Sequence, residues 1–291
     1  MSDTVKRRAE LLPKARSGDA QAQFDLGCEF VFETPRDRRR AMRLYRAAAE
    51  QGHAEAQNFL AESYRDGWTV PQDSAEAMRL FELAAAGGDS NAMVSLGRIH
   101  YFGEGVRRDR KRGLRYYRQA ARAGNLSAMH NIGQVYISGK GVKKSWPRAL
   151  QWHAKAAEGG NTSSMVVLGE IYTGFYDYPE DAERAVHWLT LGADAGSARC
   201  CSLLGSKYHD GDGVEQDHER STALYREAAE QGDSWGQYCL GMCYRDGEGV
   251  RRNRRVALAW FDRAASKVPE AKQAARRLRA ELSRRRTRPR R

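Results

Sequence analysis

The chain lacks most of what announces chemistry. It has no H-E-x-x-H, no G-x-S-x-G and no Walker loop, so the familiar metallopeptidase, hydrolase and nucleotide-binding signatures are missing. No stretch of about 20 apolar residues occurs, which excludes a membrane-spanning helix. Met1 to Leu12 carries no apolar run of the signal-peptide kind, and a cytoplasmic location is expected. Cysteine is scarce: Cys28, Cys200, Cys201, Cys239 and Cys243 are the only five. An odd count without a repeating partner pattern argues against a disulfide framework. Cys239 and Cys243 lie four apart, on one face of a helix, yet a metal would need converging ligands from elsewhere, such as His209 or Cys200. Packed, buried or half-buried thiols are the expectation, and no metal or cofactor is assigned. The histidines form no catalytic arrangement: His53, His153, His187, His209 and His218 fall at scattered positions.

What the chain does have is a period. Glycine returns every 36 residues at Gly52, Gly88, Gly124, Gly160, Gly196 and Gly232, with Gly18 at the head of the series two residues closer. Regularity over most of 291 residues means stacked supersecondary units rather than one globular core. Other columns keep step. A large residue followed by glycine stands at Leu26-Gly27, Leu96-Gly97, Ile132-Gly133, Leu168-Gly169, Leu204-Gly205 and Leu240-Gly241, with Leu60-Ala61 in repeat two. Three positions on come Phe30, Tyr64, Tyr136, Tyr172, Tyr208 and Tyr244, with His100 as the exception. This spacing puts them on one face of a first helix, whose small residue lets a second helix approach.

A tight glycine loop ending in valine follows, as in Gly103-Glu104-Gly105-Val106 and Gly247-Glu248-Gly249-Val250. With no preceding strand, this is turn geometry and not a phosphate cradle. Asp37, Asp73, Asp109, Ser145, Asp181, Asp217 and Asn253 are expected to cap a second helix. That helix carries a bulky column (Leu44, Leu80, Tyr116, Trp152, Trp188, Leu224, Trp260) expected in the core, then a pair of small residues for close crossing. The terminal glycine caps it.

These columns, L-G-x-x-Y, then G-x-G-V-x-x-D, then A-x-x-W-x-x-A-A-x-x-G, closely resemble the Sel-one-like repeat (SLR), a relative of the tetratricopeptide repeat. The resemblance covers about Asp19 to Ser266 in seven units, with repeat one short at Phe32 to Arg36 and repeat five carrying Gly174-Phe175-Tyr176-Asp177-Tyr178-Pro179 in place of Gly-x-Gly. It implies an all-α fold, a right-handed α/α superhelix or solenoid. The expected organisation is an N-terminal capping helix (1–18), seven repeats (19–266), a C-terminal capping helix (267–282) and a disordered arginine-rich tail (283–291). Some secreted members of the family carry a cysteine pair in each repeat and a claimed penicillin-binding activity. This chain lacks the pairs, and that activity is not carried over.

The resemblance also implies a partner surface, because in such proteins the first helix of each repeat lines the concave side. The positions flanking the Leu-Gly column then face a groove, and Phe59, Glu62, Ser95, Arg98, Asn131, Gln134, Glu170 and Ser206 are the candidate contacts to a protein or peptide. A non-catalytic interaction scaffold is the leading expectation.

The alternative lies in the charge. The formal net charge is +12, and Ala271 to Arg291 hold ten basic residues against Glu281 alone, so +9 sits there and 12 − 9 leaves +3 for the rest. Arg284, Arg285, Arg286, Arg288, Arg290 and Arg291 would attract nucleic acid or another polyanion non-specifically and in a salt-dependent way. Arg107-Arg108, Lys143-Lys144 and Arg251-Arg252 share one loop position and form a secondary basic candidate.

Overall fold

The 36-residue period resolves into helical hairpins. A computed structural model describes residues 3–31 and 34–286, and these contain sixteen helices and no strand. The repeats pair α2 (Ala20–Phe30) with α3 (Pro35–Glu50), α4 (Ala54–Asp66) with α5 (Ser74–Ala86), and α6 (Ser90–Phe102) with α7 (Arg110–Arg122). In repeat four the sequence supplies α8 (Leu126–Ser138) and α9 (Trp146–Glu158), and the pairs resume as α10 (Thr162–Tyr172) with α11 (Ala182–Asp194), α12 (Ala198–Asp210) with α13 (His218–Glu230), and α14 (Ser234–Asp246) with α15 (Arg254–Ala264). Helices α1 (Asp3–Arg16) and α16 (Pro269–Arg286) flank them. The all-α solenoid class expected from the period is the class observed. No helix among the described residues is long and apolar enough to cross a membrane.

Two compact units result, Met1–Ser145 and Trp146–Arg291. In the first, one apolar cluster runs without interruption from Ala15 in α1 to Ile99 in α6. In the second, the main cluster joins Ala157 in α9 to Ala228 in α13. Smaller ones lie between α13 and α14 and against α16, where Ala271, Ala275 and Leu278 are buried. Arg279 on α16 ties this last packing to α15: its Nη2 donates to both carboxylate oxygens of Asp262 at 2.7 and 2.8 Å.

The core column differs from expectation by one residue. Trp152, Trp188 and Trp260 are half-buried, whereas the next position is sealed: Tyr45, Phe81, Tyr117, His153, Leu189, Tyr225 and Phe261 are at most 4% exposed. A step of one residue turns a helix face by about 100°, and in repeats one, three, five, six and seven the later position is the one aimed at the glycine of the first helix. A Cβ built on Gly97 would lie 2.5 Å from the Tyr117 ring, and one on Gly241 2.6 Å from Phe261. The glycine is thus the socket for a bulky apolar knob, aromatic in four of these repeats and Leu189 against Gly169 in the fifth, each worth roughly 1.5–3 kcal/mol in burial.

Each repeat link does two jobs in two residues. Gly124 adopts φ +84° and ends α7, and Asn125 N–H donates back to Ala120 C=O at 3.0 Å while its side chain caps α8. At the other end of the hairpin, the N-cap residue closes the loop by donating to the carbonyl of the tyrosine column. Examples are Asp109 to His100 at 2.8 Å and Asp217 to Tyr208 at 2.9 Å.

Two further expectations are corrected. In repeat one the cap of α3 is Thr34, not Asp37. Pro35 opens the helix, Asp37 N–H donates to Thr34 Oγ1 at 3.2 Å, and the Thr34 hydroxyl donates back to the Asp37 carboxylate at 2.5 Å. The shortened loop moves the helix start forward, and a threonine before proline meets the same capping need. Ser283 to Arg286, expected in a disordered tail, continue α16. The rest of the arginine run, including Arg288, Arg290 and Arg291, lies outside the described residues.

Candidate partner-binding cleft

The first helices of repeats one to four put their solvent sides together within the first unit. Residues of α2, α4, α6 and α8, with the Gly87–Asp89 link, line a cleft of about 670 Å³. One wall is aromatic. Phe24 stacks on His53 with ring centroids 4.9 Å apart and meets Phe59 edge-on at 6.5 Å, and Phe59 lies 5.0 Å from Tyr45 beneath it. The other contributions are polar: Glu55, Asn58, Glu62, Asp89, Ser90, Asn91, Ser95 and Ser127.

Three of these are carboxylates, and the described lining contains neither lysine nor arginine. Burial pushes the Glu62 carboxyl above its ordinary value, partly offset by Arg65 and Arg98. Burial likewise raises Asp89, against the backbone N–H groups of Ala92 and Asn91. An acidic site whose own charges are costly to keep is one that a cation would stabilise. Asn58 is only 7% exposed, and its Oδ1 has no hydrogen-bond partner. A buried amide oxygen left alone forfeits about 1–3 kcal/mol, which a donor entering the cleft would recover.

Of the residues expected along the groove, Phe59, Glu62 and Ser95 come together here. Arg98 is half-buried on α6 and pairs with Glu104 of the following loop at 3.4 Å. Asn131 and Gln134 are half-buried on α8. In the second unit, Glu170 is engaged by Arg199 at 3.0 Å, and Ser206 donates to Ser202 C=O at 3.3 Å while accepting from the Tyr225 hydroxyl at 3.1 Å. The sequence reading passed over Phe24, Asn58 and Val94. They form a column of their own, two residues before the large residue of each Leu-Gly pair, so the signal was present in the period.

Basic residues gather elsewhere. Arg107, Arg108, Arg110, Lys111 and Arg112 surround a second cleft of about 840 Å³ with Glu82, Asp109 and His100. Helix α7 has no acidic residue, and Lys111, Arg115, Arg118 and Arg122 are exposed along one face. The side chains of Arg284, Arg285 and Arg286 lie outside what is described. Among the cysteines, Cys28 is exposed and the other four are buried and free. Burial pushes the Cys239 thiol up to about 12, so it stays protonated at neutral pH.

Hairpins of this length, with a glycine socket and a capped two-residue link, define a helical-repeat solenoid that presents side chains for contact. The chain belongs to the Sel1 repeat family, which matches residues 20–53, 54–89, 90–125, 126–161, 162–197, 198–233 and 236–267. Proteins of this family are generally protein-interaction scaffolds. Among solved structures, the chain is similar to a protective antigen of uropathogenic Escherichia coli strains that displays an SLR fold. The two are 31% identical, with a TM-score of 0.65, over 92% of this chain and 66% of that one. It thus spans just under two thirds of that protein's length. A Sel1 repeat protein from Oxalobacter formigenes is 29% identical, with a TM-score of 0.70, over 77% of this chain and 95% of the other. An immunity protein of Pseudomonas aeruginosa shares the fold at 21% identity and a TM-score of 0.52, over 72% and 81% of the two chains. No curated protein matches.

Proposed function

We propose that the protein is a non-catalytic adaptor that holds a segment of a partner protein in the cleft between α2, α4, α6 and α8. The favoured segment carries lysine or arginine next to an apolar side chain. The observation that carries this reading is the pairing of an aromatic wall with three carboxylates, in a lining that has no lysine or arginine among the described residues, and the unpartnered amide oxygen of Asn58. Phe24 and Phe59 offer apolar contact area, the carboxylates receive the cation, and Asn58 accepts a backbone or side-chain donor.

A positional-scanning library of soluble peptides tests the reading. Wild type is expected to select lysine or arginine beside leucine, phenylalanine or methionine. Glu62→Lys is expected to abolish the cationic preference while the far-ultraviolet dichroism stays unchanged. Asn58→Leu should weaken the selected peptide by about 0.5–1.5 kcal/mol, or ~2–12-fold. Peptide selection that ignores charge, or that survives Glu62→Lys, would overturn it.

A second reading, association with a polyanion, draws support from the acid-free helix α7 and from the composition of the C-terminal run. Retention on a heparin column distinguishes its two sources. Reversal of Lys111, Arg115 and Arg118 to glutamate removes the helical face, and deletion of residues 283–291 removes the run. If neither change lowers the salt needed for elution, this reading fails.

A further inference from the structure

The turn end of repeat six gathers donors of another kind. His209 stands in the last turn of α12, His218 is the first residue of α13, and Glu248 is the middle residue of the loop after α14. One ring nitrogen of each histidine and a carboxylate oxygen of Glu248 lie within 4.8 Å of one another. Among the described residues this is the one place where three such donors meet.

The backbones that carry them are fixed. Asp217 N–H closes the loop onto Tyr208 C=O at 2.9 Å, Gln216 Nε2 donates to His209 C=O at 2.7 Å, and the Thr222 hydroxyl donates to Glu248 C=O at 3.0 Å. The loop of repeat seven is thereby held against the start of α13. The same junction occurs elsewhere in the chain with other residues. Gly105 meets Ser74, Gly141 meets Arg110 and Gly213 meets Ala182 at the positions where Gly249 meets His218. Tyr101 stands where repeat six has His209, and its hydroxyl donates to the carbonyl of Lys140, the loop residue that matches Glu248. The scaffold supplies the geometry repeatedly, and repeat six furnishes it with two imidazoles and a carboxylate.

The details fit coordination. His209 Nδ1 lies 2.6 Å from Asp210 Oδ1, and its Nε2 lies 3.1 Å from Glu248 Oε2. In the neutral ring with its proton on Nδ1 toward Asp210, the Nε2 lone pair faces the Glu248 carboxylate, and the gap is filled by a second ring proton or by a metal cation that displaces it. Nitrogen and oxygen ligands of one tetrahedral zinc-sized ion, at about 2.0–2.2 Å each, stand about 3.3–3.6 Å apart, a few tenths of an ångström beyond the His209–Glu248 separation. The Asp210–His209 contact is the carboxylate–imidazole pairing that orients metal-bound histidines. The two imidazoles meet edge to face at 5.2 Å, and His218 Nδ1 is buried without a hydrogen-bond partner.

We infer that His209, His218 and Glu248 bind one borderline divalent transition-metal ion, with Asp210 orienting His209. Mixed imidazole and carboxylate donors suit Zn²⁺, Co²⁺ or Ni²⁺ and disfavour Mg²⁺ and Ca²⁺. Three ligands leave a fourth position for water. The ion pins the repeat-seven loop to the repeat-six hairpin, so it stabilises the fold by binding the native state.

Calorimetric titration of the chelator-treated full chain with zinc chloride, followed by Co²⁺ absorption spectra, tests this. The expected result is one ion per chain at micromolar concentration, tetrahedral Co²⁺ bands, a zinc-dependent rise in melting temperature and no response to Mg²⁺. His218→Ala and Glu248→Gln should each abolish the bands, with the conservative Glu248→Gln guarding against misfolding. Asp210→Asn should weaken binding about tenfold. Cys28→Ser, which removes the exposed thiol, and His187→Ala, which is not a member of the cluster, should leave it unchanged. Failure of the wild type to bind zinc, or equal binding by His218→Ala and Glu248→Gln, overturns the inference.

Discussion

At the scale of single residues, the glycines of the Leu-Gly column and those that end each repeat do different physical work. Gly97 is helical and faces Tyr117, so Gly97→Ala overpacks and should cost about 1–3 kcal/mol. Gly124 has φ +84° and nothing near its missing Cβ, so Gly124→Ala should cost about 1–2 kcal/mol through backbone strain alone. Urea unfolding with Tyr117→Leu as the second change tells them apart. The smaller side chain should relieve the first loss and leave the second as it is, and equal coupling in both pairs would contradict the assignment.

His100 shows what a departure from a column means. It is buried, stacks on Tyr116 at 5.7 Å, and leaves Nε2 without a partner. Burial, and then Arg112, hold it below its ordinary value, against Asp109 and Glu82, and burial does the same to His130. As pH falls through the unfolded-state value of about 6.5, the unfolded chain takes up protons that the folded one refuses. Stability therefore declines from about pH 7 toward about pH 5. His100→Tyr restores the residue of the other repeats and should flatten the fall in melting temperature. Parallel profiles for the two proteins would show that His100 is not a source of it.

At the scale of helices, the period of the chain carries the hairpins, and the phase of each helix carries the core. Two helices per repeat could be read from spacing alone. The buried column could not be placed to better than one residue, because Trp188 and Leu189 are both large and apolar and only the partner helix decides which is aimed inward. The caps of the first helices were hidden for a related reason. Asp19, His53, Asp89, Asn125, Asn161, Ser197 and Asp233 share only a side-chain acceptor, which four residue types supply equally well. Asn125 does more than cap, since its Nδ2 donates to Ser90 Oγ at 3.1 Å and Asn91 Oδ1 at 2.9 Å in the preceding repeat. Asn125→Ala should lower stability by about 0.5–2 kcal/mol in urea denaturation, and Asn125→Asp, which keeps the acceptor and loses the donors, should fall between. An aspartate variant as unstable as the alanine one would assign the loss to the inter-repeat contacts.

At the scale of the whole molecule, the scaffold was legible and the contact surfaces were not. Every column with a structural task recurs, so spacing exposes it. Phe59, Glu62 and Ser95 were in the expected row, but their grouping with Phe24, Asn58 and Asp89 depends on which helix faces meet across repeats. His209, His218 and Glu248 occupy three different columns over two repeats and share no pattern in sequence. Chemistry in a repeat protein resides in such exceptions.

The reading of the cleft as an acidic, aromatic seat for a partner segment is tested most directly by photo-crosslinking. Phe59 in the cleft and Leu83, exposed on α5, are replaced one at a time by p-benzoylphenylalanine and irradiated with a labelled peptide of alternating arginine and leucine. The account predicts a crosslink from position 59, suppressed by unlabelled peptide and by Glu62→Lys, and none above background from position 83. Equal yield from the two positions, or a yield at 59 indifferent to Glu62, would contradict it.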